Sequence, residues 1–159
     1  MSHPALLALR VLLVVIALGT LSIQIVLLPE LVREVSVDAP EALRLAVPYA
    51  FAAGAAIVCV QIALVALWVL LAKVRRDAIF SPSAFRWVDV IIWAAAVATV
   101  ITLGVAIWQF GVERLGPPGL VLMLGSAVIG GAAFVLLMIV MRGLLRQATA
   151  LESELAEVV

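Results

Sequence analysis

Four long apolar runs, from about Ala5 to Leu28, Pro48 to Ala72, Trp87 to Phe110 and Gly119 to Met141, take up most of the 159 residues. The hydrocarbon core of a bilayer is about 30 Å thick and about 20 helical residues cross it, so each run is long enough to span. In lipid every backbone N–H and C=O must be satisfied within a helix or a closed barrel. Barrel strands alternate in polarity with a period of two, and these runs do not. Four transmembrane helices follow. An apolar share of 67%, only 13% charged residues and a mean hydropathy of +1.32 place the chain far outside the soluble range.

The first run resembles a cleavable leader in position but not in form. A leader's apolar region is about 7–15 residues long and precedes a small-residue cleavage site. This run is longer, Arg10 is its only firm positive charge, and no such site precedes Pro29 and Glu30. The expectation is a retained first helix.

Orientation follows from the cations, because short loops rich in Lys and Arg stay cytoplasmic. With both termini inside, Arg10, Lys73, Arg75, Arg76, Arg86, Arg142 and Arg146 are cytoplasmic. Arg33, Arg44 and Arg114 are then outside, among Glu30, Glu34, Asp38, Glu41 and Glu113. The expected fold is an all-α integral membrane protein of the cell membrane. A single antiparallel four-helix bundle covers residues 1–159, N-in and C-in, with a short cytoplasmic amphipathic helix over 142–159. Zero net charge conceals the asymmetry and gives no reason to expect direct nucleic-acid binding.

The connections carry their own signals. Ser81 is a suitable N-cap and Pro82 suits the first helical position, so the third helix or a lead-in to it starts there. Gly116, Pro117 and Pro118 form a reversal before Gly119. The longest outer loop, Pro29 to Val47, reads equally as a short surface helix or as irregular chain. Trp87, Trp93 and Trp108 on the third helix and Trp68 on the second read as interfacial anchors.

Small residues let helix backbones approach one another in lipid. Ala50 and Ala52 to Ala56, interrupted by Gly54, serve the second helix; Ala94, Ala95, Ala96 and Ala98 serve the third; Ser126 and Gly130, beside Gly125 and Gly131, serve the fourth. Polar residues inside spans point to relays or transport paths, and here they are few: Gln24, Gln61, Thr99, Thr102 and Asp89. Asp89 reads as an interfacial acid, paired with Arg86 three residues away or favoured by the helix N-terminus, and Gln61 as a hydrogen-bond partner of a threonine on a neighbouring helix. His3 and Cys59 are the only His and Cys. Neither forms a metal or haem site alone. No phosphate loop, nucleophile elbow or pair of intramembrane carboxylates is present. No enzymatic activity and no cofactor are expected.

In the tail, Leu144, Ala148, Leu151, Leu155 and Val158 recur at spacings of four and three, one face of a helix. The stripe extends the fourth helix, lies on the membrane, or docks a partner, either a second copy or a foreign protein. Its acids Glu152, Glu154 and Glu157 disfavour anionic lipid.

The inner loop Arg76-Asp77-Ala78-Ile79-Phe80-Ser81 with Phe85-Arg86, and the tail Leu145 to Ala148 and Leu151-Glu152-Ser153-Glu154-Leu155 running into Val158-Val159, resemble the bacterial membrane proteins grouped as domain of unknown function 2975. The chain departs from that pattern at its end, Ala156-Glu157-Val158-Val159. The resemblance implies a small four-helix membrane protein often encoded beside a helix-turn-helix regulator. The leading functional expectation is a membrane regulator or scaffold whose inner face holds a soluble partner, with Arg75, Arg76, Phe80, Phe85, Arg86, Leu144, Leu151 and Leu155 as contact candidates. The alternative is a small-molecule binder or transport component using Gln24, Gln61, Asp89, Thr99 and Thr102 in a weakly polar cavity. A purely structural subunit is a third class.

Overall fold

The computed structural model describes the backbone of residues 3–74, 82–113 and 118–157, and the side chains of 7–40, 42–73, 85–111 and 119–148. Among these residues the regular structure is entirely helical. Helix α1 (His3–Ser22) passes through a π turn (Ile23–Leu27) into α2 (Leu28–Asp38), forming one continuous column. Pro29 explains the wide turn: it has no N–H to give and its ring crowds the carbonyl one turn earlier. The turn before it loosens, and the Leu28 N–H bonds Ile23 O, five residues back.

The column breaks only at Ala39, whose N–H closes on Val35 O at 3.0 Å. A 3₁₀ turn (Pro40–Ala42) then leads directly into α3 (Leu43–Val74). The long outer connection expected from Pro29 to Val47 is therefore helical nearly throughout. Helix α4 (Pro82–Ile107) begins at the expected proline and ends in a second π turn (Trp108–Glu113). Ser81, the expected cap, lies outside the described residues, as do Gly116 and Pro117. Helix α5 (Pro118–Glu157) runs unbroken for 40 residues, about 60 Å at 1.5 Å per residue. The tail is thus a continuation of the fourth helix.

Four helices are long and apolar enough to cross a membrane, at Leu7–Asp38, Leu43–Lys73, Phe85–Gly111 and Gly119–Ala148. They pack mainly in chain order: the α1–α2 column on α3, α3 on α4, and α4 on α5. Among the described residues the buried apolar side chains are few, namely Leu13, Cys59, Ala66, Leu71, Ile91 and Ala94. Large side chains such as Leu122, Ile129 and Val100 face outward. In water such faces would drive aggregation; in a bilayer lipid covers them, and helix association rests on close packing and hydrogen bonds instead.

The contact face of α5 is read from its half-buried positions Leu120, Leu124, Val128, Gly131, Val135, Met138 and Arg142, spaced three or four apart. Gly131 carries the close approach. A Cβ there would collide with Thr99 Oγ1 on α4 and lie 3.3 Å from the Thr99 Cβ and Cγ2. Ser126 and Gly130 do not make this contact. Gly130 has open space around it, and the exposed Ser126 hydroxyl donates back to Met123 O. One residue along a helix turns a side chain by about 100°, so Gly131 faces α4 and Gly130 faces away. On α3, a Cβ added at Gly54 would lie 3.8 Å from Leu28 Cδ1, an ordinary packing distance, so this glycine is not required for the contact with the first column.

Candidate functional site

Polar links that tie neighbouring helices among the described residues include the following three. In the first, Gln61 Nε2 on α3 donates to Gln24 Oε1 at 3.1 Å. The π turn that Pro29 requires is the segment that carries Gln24, so a backbone adjustment and an intramembrane hydrogen bond share one site. The partner of Gln61 is this glutamine and not a threonine. Thr99 and Thr102 instead donate to Ala95 O and Ala98 O of their own helix, each at 2.8 Å, the usual way a hydroxyl is satisfied where water is absent.

The second link corrects the reading of Asp89. Its Oδ2 accepts from Arg142 Nη2 of α5 at 2.7 Å, so its partner is an arginine 53 residues away and not Arg86. Reaching across to α5 joins two helices, whereas an Arg86 contact would have stayed within one. Both side chains are about one third exposed, and the Arg142 Nε is buried without a hydrogen-bond partner. The third link places the Arg10 guanidinium 5.6 Å from the centre of the Trp68 ring, within cation–π range. It joins α1 to α3.

The intramembrane polar candidates do not converge on one cavity. Gln61 lines a groove of about 280 Å³ with Leu13, Ala17 and Trp68. Gln24 borders another, of about 580 Å³, with Pro29, Phe51 and Gly54. Thr99 and Thr102 floor a third, about 570 Å³, between α3 and α5, walled by Cys59, Ala98, Phe134 and Met138. With both hydroxyls engaged by backbone, that third groove is chemically apolar. Asp89 belongs to the ion pair with Arg142.

Of the partner-contact candidates, Arg75, Arg76 and Phe80 lie outside the described residues. Phe85 is half-buried and Arg86 exposed in the first turns of α4. Leu144 is exposed on α5, and Leu151 and Leu155 lie on the same helical backbone, their side chains outside the described set. No group of three or more His, Cys, Asp or Glu placed to hold a metal occurs among the described residues.

Two features escape a reading of the sequence in isolation. Arg142 counts there only as one more inner cation. Its usable signal is that Asp89, an acid inside a span near the same end of the bundle, calls for an opposite charge at its own depth. The other is a groove of about 650 Å³ between α3 and α4, bordered by Arg44, Tyr49 and Trp108. Those residues are separated by up to 64 positions, and nothing local links them.

A family model described as a protein of unknown function (DUF2975) matches residues 2–159. No curated protein and no solved structure matches the chain.

Proposed function

The chain belongs to the DUF2975 family, and from that premise we propose that it is a non-enzymatic regulator or scaffold of the cell membrane. In this reading the four helices form an antiparallel bundle with both termini in the cytoplasm. The inner loop and the end of α5 hold a soluble protein such as a helix-turn-helix transcription regulator. The observation that carries it is the length of α5. Its 40 residues are about twice what a span needs, so a helical rod extends some 20 Å or more past the membrane. That rod bears the Leu144, Ala148, Leu151 and Leu155 stripe with acids beside it, a form suited to docking in a partner's groove.

The Asp89–Arg142 pair supports the same reading, because it holds the base of the rod against α4. The solute-path alternative draws less support. Its glutamines bond each other, its threonines bond their own helix, and the two sets line different grooves.

The test is crosslinking in cells from a photoreactive residue at Leu151, followed by capture of the full chain and of a chain truncated after Gly143. The expected result is a soluble protein recovered with the full chain and lost on truncation. Recovery of the chain alone in both cases would overturn the regulator reading.

A further inference from the structure

At the end of the bundle that carries the α2–α3 and α4–α5 connections, α3 and α4 part to leave the groove of about 650 Å³. Its polarity is graded. Arg44 stands at the mouth; Ala52, also lining the groove, lies eight residues further along α3, about 12 Å deeper along the axis. Between them the walls are Leu45, Pro48, Tyr49, Gly104 of α4 and Trp108 of the π turn that follows it. Arg44 is exposed and has no ion-pair partner among the described residues.

Pro48 adds a second polar feature. In an α-helix the N–H of residue 48 would bond Arg44 C=O, and proline has none. The mouth therefore offers a cation and a carbonyl without its helical donor, and the interior offers hydrocarbon contacts. Gly104 keeps that interior open, since a Cβ there would meet nothing within 4 Å.

We propose that this groove binds one phospholipid. Its phosphate rests on Arg44, a headgroup hydroxyl reaches the Arg44 carbonyl, and an acyl chain runs along Ala52, Val105 and Gly104. A charged head at the interface above a chain in the core is the polarity order of a lipid, and it matches the order of the groove. Trp108, 52% exposed, sits where an indole favours the headgroup boundary. The proposal does not depend on the regulator reading, only on the groove lying at a membrane interface.

The test uses the full-length protein, purified in detergent and stripped of lipid, titrated by native mass spectrometry. The ligands are phosphatidylglycerol, diacylglycerol of the same chains, and inorganic phosphate. One phosphatidylglycerol per chain is expected to bind saturably and more tightly than diacylglycerol. R44Q should weaken it about fivefold, the share of one interfacial cation, and R44K should restore most of it. G104L, which fills the open space, should abolish it; V105F serves if G104L lowers the helix content measured by circular dichroism. R33Q, at an exposed arginine beside Glu30, should change nothing. Equal affinity for diacylglycerol, or an R44Q chain that binds as tightly as wild type, would overturn the proposal. Displacement of the lipid by phosphate alone would assign the site to a free anion instead, and a dimer mass in place of the lipid adduct would assign it to a second copy.

Discussion

Helices α4 and α5 have the same peak hydropathy of 2.5, yet they sit differently. Helix α4 is packed on two sides, by α3 and α5, and contributes Ile91 and Ala94 to the buried set. Helix α5 rests on α4, and no residue of its most apolar window is buried. Apolar character therefore does not decide which helix is central. Lipid tails satisfy Leu and Ile as well as protein does, so position depends on where backbones can approach and where polar groups find partners. Alanines 94, 95 and 98 give α4 a low surface on its α3 and α5 sides. Helix α5 has Gly131 and Arg142 on its contact face, but the larger Leu120, Leu124, Val128, Val135 and Met138 share that face.

The sharpest way to break this difference is Gly131→Leu. Forcing a side chain against Thr99 should cost about 1–3 kcal/mol, the usual range for overpacking, while Gly130→Leu on the open side should stay within about 0.5 kcal/mol. Reversible unfolding in bicelles would compare them, and equal effects would show that the α4–α5 contact is not made at Gly131.

Next in size is Gln61→Leu. It leaves Gln24 without its partner and should cost about 1 kcal/mol, within the range for hydrogen bonds between helices in membranes. Adding Gln24→Leu should recover part of the loss, because two apolar groups leave nothing unsatisfied.

Asp89→Asn should cost about 1 kcal/mol or less, given how far water reaches the pair. A double-mutant cycle with Arg142→Gln should give a coupling of the same size. No coupling would mean that the pair does not hold the base of α5. The smallest effect belongs to Arg10→Gln, about 0.5 kcal/mol for a partly exposed cation–π contact. It should be detectable only as a lower α1 protection in hydrogen exchange.

Much of the helix layout was legible along the chain. Pro82 opens a helix where a missing N–H is harmless, and the four apolar runs coincide with the four span-length helices, although Pro118, read as part of the reversal, is the first residue of α5. The outer segment was less so. A proline and mixed polarity from Pro29 onward left a short surface helix and irregular chain equally open; a π turn absorbs the proline and the helix continues to Asp38. The polar residues were legible as residues and not as pairs. Gln61 bonds Gln24 and Asp89 bonds Arg142, where neighbours in sequence or a threonine had been expected.

The sequence by itself determined that this chain is helical, that four of its helices are apolar enough to span a membrane, and which residues are polar within them. These are local properties, dictated by backbone satisfaction in lipid and by proline's missing donor. The tertiary structure decided which helices are central, that Gly131 rather than Gly130 meets Thr99, and which glutamine and which arginine complete the links. Those depend on each helix's rotation about its own axis. In a bilayer no gradient of hydrophobicity sets that rotation, so only the packed contacts do.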